Sequence, residues 1–238
     1  MKAVDLYCIP YAGSSAEYTY TRLKTILPKN IEVKPLELAG RGTRILEKFY
    51  MNIEEVVSDL IEVFRNRNKD KPYAIYAHSM GTIITYELIK AIKKEGLLEP
   101  ICLFLSGRQP PHYIYNRRDI HDLPYDEFIE DIEELGGNVK KVFQNKEMKR
   151  IFLPILRSDY KMIEEYRFNG EYERIKGDIV IFYADNDLLA NDINSLEEWS
   201  RYTDGHLEFH KFEGGHFFLL DNWNKICTLI SNKLIELM

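Results

Sequence analysis

The residues with the clearest chemical signature form the segment Ala-His-Ser-Met-Gly at positions 77–81, which follows an apolar run and opens a helical pattern. A strand that turns sharply into a helix lifts a serine hydroxyl above a sheet, where the hydroxyl can attack a carbonyl. Small residues flank such a serine because the turn brings two backbones close together, and Ala77 adds one methyl group to the commoner glycine. We predict that Ser79 is a nucleophile and that the Met80 N–H, near a helix N-terminus, helps to hold an oxyanion.

A serine hydroxyl needs a base to remove its proton, and histidine is the most frequent choice. Of the six histidines, His216 follows two glycines and lies between the last predicted strand and the last predicted helix. Where the nucleophile sits on a strand-to-helix turn of this kind, the order along the chain is serine, acid, histidine. We therefore predict that His216 is the base and that His78, inside the turn, points away from the serine.

Two aspartates follow the penultimate predicted strand, in the segment Ala-Asp-Asn-Asp at positions 184–187. One of them should accept a hydrogen bond from the histidine N–H and stabilise the imidazolium that forms. We favour Asp187 as this acid, keep Asp185 as the alternative and regard Asp192 as a more distant candidate.

A second backbone donor to the oxyanion is expected in the loop after the first strand. The segment PYAGSSA at positions 10–16 is a small-residue turn between a predicted strand and a helix. We predict that the Ala12 N–H is this donor, with the Gly13 N–H as second choice, and that Tyr11 and Gly13 contact the substrate. An ordinary turn with no part in catalysis is the alternative.

These residues need a scaffold, and the sequence alternates short apolar runs with amphipathic helical patterns. The apolar runs predict strands at residues 4–10, 31–36, 73–77, 101–106, 179–183 and 207–212, the last of them nearer an edge. Apolar residues at helical spacing predict helices over residues 53–64, 81–98 and 223–237. The alternation predicts an α/β fold with a mostly parallel twisted sheet and helices on both faces, in a single domain covering residues 1–238.

Residues 108–176 interrupt this alternation, because only helical patterns are recognisable there. One apolar stripe covers residues 128–135, and further helices are predicted over residues 140–150 and 152–166. A helical insertion between two core strands is where a lid over the site would lie. The alternative is that these helices simply pack on the domain.

The composition argues against several classes of function, namely nonspecific nucleic-acid binding, membrane binding and metal binding by cysteines. The 238 residues carry a net charge of −6, which argues against nonspecific binding to nucleic acid or anionic membranes, since both need a basic surface. The three cysteines lack metal-binding spacing and fit buried free thiols in a reducing compartment. No apolar segment approaches the roughly 20 residues that span a bilayer. We expect a cytoplasmic monomer that needs neither a metal nor another cofactor.

Seven motifs are distributed from end to end of the chain: PYAG (10–13), GRGTR (40–44), AHSMG (77–81), SGRQPPH (106–112), ELGG (134–137), LPILRSDY (153–160) and GGHFFL (214–219). Together they resemble the type II thioesterases that accompany nonribosomal peptide and polyketide synthases. SGRQPPH and LPILRSDY are the most diagnostic, because no general hydrolase needs them. Ser14, Ala39 and Ala77 depart from the family pattern, and none of the three removes a predicted catalytic side chain.

The resemblance implies an α/β-hydrolase fold and hydrolysis of acyl or aminoacyl thioesters on the phosphopantetheine arm of acyl or peptidyl carrier proteins. Such a reaction removes wrong or stalled groups and restores the free thiol. A general carboxylesterase acting on small free esters is the alternative that uses the same three side chains. A hydrolase fold without catalysis, serving as a binding module, is the second alternative.

Charge is unevenly distributed in the predicted lid. Residues 138–150 contain five basic residues and one acid, whereas residues 126–134 contain six acids and no base. The carrier domains that such thioesterases act on are usually acidic. We therefore hypothesise that the basic segment contacts the carrier or the phosphate of its phosphopantetheine arm. A solvated helix face is the alternative.

Overall fold

The computed structural model describes residues 3–113, 118–136 and 139–238. Its strands are β1 (Val4–Ile9), β2 (Ile31–Pro35), β3 (Tyr73–His78), β4 (Cys102–Ser106), β5 (Asp178–Ala184) and β6 (Leu207–Phe212). They form one sheet in the order β2-β1-β3-β4-β5-β6, and every neighbouring pair is parallel. The six predicted strands are confirmed to within one residue at each end, and β6 does lie at an edge.

The helices are α1 (Ala16–Tyr20), α2 (Leu23–Ile26), α3 (Ile53–Asn66), α4 (Met80–Lys94), α5 (Tyr125–Glu133), α6 (Val139–Phe143), α7 (Lys146–Glu165), α8 (Ile193–Glu197) and α9 (Trp223–Glu236). Short 3₁₀ segments cover Gly42–Arg44, Glu198–Tyr202 and Phe218–Leu220. The three long helices predicted outside the insertion correspond to α3, α4 and α9. In the described ranges no helix combines the length and apolar character that crossing a membrane requires.

Two apolar layers cover the sheet, because successive side chains of a strand point to opposite faces. On one face Ile75 and Leu103 pack with the buried side of α3 and α4. On the other face Tyr76 and Phe104 pack with α1, α2 and α9. The helices therefore lie on both faces, as predicted, and all three cysteines are buried free thiols.

Helices α5, α6 and α7 form the insertion between β4 and β5 and have an apolar cluster of their own. Its buried members are Ile120, Phe128, Ile129, Ile132, Phe143 and Leu156. The helix predicted over residues 140–150 is wrong, since α6 ends at Phe143 and α7 begins at Lys146. The side chain of Asn145 accepts hydrogen bonds from the Glu147 and Met148 N–H groups and so starts a new helix. That helix continues through Pro154 to Glu165.

The strand order reverses direction at β1, whose neighbours are β2 on one side and β3 on the other. In open α/β sheets a crevice forms at such a switch point, outside the carboxyl ends of the strands. The segments that follow β1 and β3 contain Ala12 and Ser79, while Asp187 and His216 follow β5 and β6. Parallel strands place all four at the same edge of the sheet.

Candidate active site

Three side chains from distant parts of the chain meet at this edge. The Ser79 hydroxyl lies 2.9 Å from Nε2 of His216, and Nδ1 of His216 lies 3.0 Å from both carboxylate oxygens of Asp187. The three residues are only 6%, 3% and 0% exposed. Because an ionised carboxylate can only accept, the proton belongs on Nδ1, which leaves Nε2 to accept from the serine hydroxyl. The arrangement can generate a serine nucleophile.

The backbone at Ser79 has φ 53° and ψ −115°, and Ser79 is the one non-glycine residue with positive φ in the described part of the chain. Such a conformation is strained by about 1–3 kcal/mol and persists where its surroundings enforce it. A Cβ at Gly81 would lie 2.7 Å from the Ile9 carbonyl oxygen, so α4 packs directly on the backbone of β1. Ala77 is fully buried in the layer that α3 and α4 cover, where its extra methyl group is accommodated.

The three candidate aspartates have different surroundings. Asp187 is buried and also accepts a hydrogen bond from the Leu189 N–H at 2.9 Å. Asp185 is exposed and lies 3.6 Å from the ammonium group of Lys211. Asp192 caps α8 by accepting from the Asn194 N–H at 3.1 Å. Only Asp187, among these three, contacts His216.

The turn after β1 distinguishes the two predicted oxyanion donors. The Gly13 N–H donates to Asp159 at 2.7 Å, so it is already occupied. The Ala12 N–H has no partner among the described residues, and Ala12 lines a cavity together with Ser79. Met80 is the first residue of α4, where the N–H groups lack partners within the helix. Ala12 and Met80 therefore remain the better candidates.

The substrate contacts of Tyr11 and Gly13 stay predictions, and the structure shows what these two residues contact within the protein. The Tyr11 ring packs edge-on against the rings of His78 and Phe217, at centroid distances of 5.6 and 5.4 Å. Neither Tyr11 nor Gly13 is among the described residues that line the cavity beside Ser79. Both residues build the turn that carries Ala12.

The cavity beside Ser79 has a volume of about 470 Å³. Ile83 of α4 lies on one side, residues of the insertion such as Leu135 and Ile163 form most of the apolar lining, and Ala12 and Leu189 complete it. Asp119, Glu164 and Arg167 add charged groups to the same lining. A pocket of this size and mixed character can hold a small organic group next to the serine.

His78 packs against the ring of His216 but has no hydrogen bond to the side chains of Ser79, His216 or Asp187 among the described residues. Its Nδ1 is 2.9 Å from the Ser106 hydroxyl on β4, and its ring centroid is 4.8 Å from that of His216. Complete burial, and then the nearby His216, lower the pKa of His78 well below its usual value. The ring is therefore neutral in the folded protein at neutral pH.

Because His78 is buried in its neutral form, we expect it to make the folded protein less stable at acidic pH. A histidine whose pKa is lower in the folded than in the unfolded chain favours unfolding once the pH falls below the unfolded value, about 6.5. The free energy of unfolding should therefore fall by about 1.4 kcal/mol per pH unit below pH 6.5 because of His78 alone. In His78→Gln that part of the slope should vanish, as measured by urea unfolding between pH 5 and 8. Equal slopes in the wild type and in His78→Gln would contradict the prediction.

Sequence reasoning missed one buried charge next to the site. Asp159 of α7 is 0% exposed and pairs with Arg41, which is 2% exposed. A signal was present, because Asp159 lies at helical spacing between the apolar residues Leu156 and Met162. A charged residue on the buried stripe of a helix requires a partner.

The parallel sheet, the strained serine turn and the Ser79–His216–Asp187 contacts define an α/β-hydrolase. More narrowly, the chain belongs to the thioesterase domain family, whose model matches residues 4–234.

Known members of the family are similar to this chain over nearly its full length. The gramicidin S biosynthesis protein GrsT of Aneurinibacillus migulanus is 34% identical over 229 residues, which cover 96% of this chain and 88% of GrsT. The crystal structure of ClbQ, from the colibactin NRPS/PKS pathway, superposes with a TM-score of 0.92 at 34% identity and covers 99% and 98% of the two chains. The type II thioesterase BorB, from the borrelidin biosynthetic cluster, gives a TM-score of 0.85 at 30% identity over 97% and 92% of the chains.

Proposed function

We propose that this protein is a type II, or editing, thioesterase that hydrolyses acyl or aminoacyl thioesters from the phosphopantetheine arm of carrier proteins in nonribosomal peptide or polyketide biosynthesis. The observation that carries the proposal is the 2.9 Å contact between Ser79 and His216, backed by Asp187. The pathway is suggested by the similarity to ClbQ, from the colibactin NRPS/PKS pathway, and to BorB, from the borrelidin biosynthetic cluster. We expect a monomer in the cytoplasm, where its buried thiols stay reduced.

The reaction begins when His216 Nε2 takes the proton of the Ser79 hydroxyl, which attacks the thioester carbonyl. The N–H groups of Met80 and Ala12 hold the oxyanion, and Asp187 stabilises the imidazolium. The C–S bond breaks, the carrier sulfur takes the proton from the His216 imidazolium and leaves as the free thiol, and the acyl group stays on Ser79. A water molecule, deprotonated by His216, then attacks the acyl-enzyme; the bond between the Ser79 oxygen and the acyl carbon breaks, His216 returns the proton to Ser79, and the carboxylic acid is released.

The cavity beside Ser79 supports a small or medium-sized acyl group. Its apolar part can bury a short carbon chain, and its charged groups can pair with polar substituents such as the ammonium group of an aminoacyl unit. Helices α5 and α7 border this cavity, and we propose that α5, α6 and α7 act as the lid predicted over residues 108–176.

The proposal is tested by incubating the protein with carrier proteins that bear different acyl groups and following the loss of acyl mass. We expect several carriers to be deacylated by the wild type and none by Ser79→Ala. The kcat/KM for an acyl carrier should exceed that for a p-nitrophenyl ester of the same acid. A higher value for the free ester would favour the general carboxylesterase, and the absence of both activities would favour a binding module.

The basic segment of the lid has the features of a carrier contact. Lys140 and Lys141 of α6 are exposed and make no ion pair within the described residues. Three large apolar side chains lie nearby in sequence and are unusually exposed: Val142 by 39%, Met148 by 37% and Ile151 by 46%. Unpaired positive charge beside apolar surface complements an acidic partner, whose approach it would accelerate.

Reversal of both charges, in Lys140→Glu/Lys141→Glu, should raise KM for an acyl carrier about 5- to 10-fold at low salt. Added salt should shrink the difference, since exposed charges are screened. KM for the same acyl group on a small free thiol should not change. The control is Lys29→Glu/Lys69→Glu, which changes the net charge by the same amount. Lys29 and Lys69 precede β2 and β3, so they lie at the amino ends of these strands, whereas the active site lies at the carboxyl ends. Equal effects on both substrates, or from both variants, would refute a docking role.

A further inference from the structure

Two of the seven motifs, GRGTR and LPILRSDY, have no part in the reaction above, and they meet at one buried point. Arg41 of the first motif lies between β2 and α3, and Asp159 of the second lies on α7. The guanidinium group and the carboxylate form two hydrogen bonds of 2.6 Å each. The exposed fractions of the two residues are 2% and 0%. A paired geometry of this kind is strongly oriented.

The ion pair is hydrogen-bonded to the turn after β1, which carries the proposed oxyanion donor, the Ala12 N–H. One carboxylate oxygen of Asp159 accepts the Gly13 N–H at 2.7 Å, and Arg41 reaches the Ser14 carbonyl oxygen at 3.4 Å. Gly13 has φ +79°, the value needed at the third position of a type II turn. The pair thus holds the half of the turn that follows Ala12.

These contacts also orient the Ala12 N–H, because the peptide bond between Tyr11 and Ala12 is planar. The Ser14 N–H and hydroxyl both donate to the Tyr11 carbonyl oxygen, at 3.1 and 3.0 Å. That carbonyl and the Ala12 N–H belong to the same rigid peptide plane and point in opposite directions. Holding Ser14 therefore fixes the direction in which the Ala12 N–H points.

The lid helix rests on this turn. A Cβ added to Gly13 would lie 2.6 Å from Cδ1 of Leu156, one turn of α7 before Asp159. Leu156 also belongs to the apolar cluster of the insertion. Through Leu156 and Asp159, the position of α7 is coupled to the turn.

Stability alone does not explain a buried ion pair, because well-packed apolar residues in its place are often as stable or more stable. We propose that Arg41 and Asp159 are positioning residues, which hold the oxyanion turn in its productive orientation against the lid helix. The inference rests on the proposed role of the Ala12 N–H in the reaction.

The test uses Arg41→Met/Asp159→Leu, which removes both charges together so that neither is left buried without a partner. The substrate is an acyl group on a small free thiol, and active sites are counted with a fluorophosphonate. We expect kcat per active site to fall about 10²- to 10³-fold with KM nearly unchanged, as for the loss of an oxyanion donor. Affinity for an alkyl boronic acid, which forms a tetrahedral adduct with the serine, should fall by a similar factor in titration calorimetry.

Lys233→Met/Asp178→Asn provides the matched control. This pair is also nearly buried, and the charged groups are 2.8 Å apart. However, Asp178 is the first residue of β5 and lies at the amino ends of the strands, away from the active site at their carboxyl ends. The control should keep the wild-type kcat and boronic acid affinity. An unchanged kcat, or an unchanged boronic acid affinity, in folded Arg41→Met/Asp159→Leu would overturn the inference. A wild type that cleaves the free thioester but no acyl carrier would instead overturn the proposed function and leave this comparison intact.

Discussion

Replacement of Ser79 by alanine is expected to lower kcat for thioester hydrolysis by roughly 10⁴- to 10⁶-fold, because no hydroxyl remains to attack the carbonyl. Alanine keeps the Cβ atom and therefore the strained backbone at this position, so the cavity and KM should change little. Single-turnover assays with an acyl carrier give the rate of acylation directly. Fluorophosphonate labelling, which needs the same nucleophile, should be lost as well.

Ser195→Ala serves as the control for this substitution. Ser195 is also buried, at 2% exposure, but its hydroxyl bonds to Gln109 and to the Asp192 carbonyl oxygen. Both kcat and labelling should stay within about twofold of the wild type, because the Ser195 hydroxyl has no hydrogen bond to any of the three active-site side chains among the described residues. If Ser79→Ala kept a tenth of the activity, another residue would have to be the nucleophile.

The Asp187→Asn variant should lose about 10⁴-fold in kcat although its shape is almost unchanged. The amide group can donate to Nδ1 of His216, which would place the histidine proton on Nε2. That tautomer cannot accept the proton of Ser79, and the positive charge that forms on the imidazole would lack its counterion. The measurement is kcat for acyl carriers at pH 7 to 8, together with a circular dichroism spectrum that confirms folding.

Asp185→Asn makes the same chemical change two residues earlier. The Asp185 carboxylate lies in solvent near Lys211, so we expect kcat within about twofold of the wild type, as is usual for surface substitutions. The reverse result, with the large loss in Asp185→Asn, would require another arrangement of the loop after β5.

Much of this fold could be predicted because each strand carries its own local signal. Strands β3, β4 and β5 are covered on both sides by helices, so almost every residue in them is apolar. The order of the strands cannot be read from such runs, because each looks alike in sequence. The reversal at β1, which forms the crevice, depends on which strands pair.

The insertion was harder to predict, since its helices begin and end through side-chain contacts. The break between α6 and α7 depends on the Asn145 cap, while Pro154, which often ends a helix, lies within α7. Amphipathic spacing detects that a segment is helical, but it does not locate a polar cap inside a charged stretch. The lining of the cavity depends in turn on where these helices lie.

The amino-acid sequence by itself determined the six strands, the long helices outside the insertion and the candidate chemistry: a serine on a strand-to-helix turn, a histidine after two glycines, and an acid in the loop after the penultimate strand. Only the tertiary structure shows that Asp187, and not Asp185, contacts His216, that the Gly13 N–H is bonded to Asp159 whereas Ala12 lines a cavity, and that Arg41 and Asp159 meet. The physical reason is that these choices depend on burial and on hydrogen-bond geometry between segments far apart in the chain. Asp159 and Arg41 are 118 positions apart, and no local pattern in either segment specifies the distance between them in space.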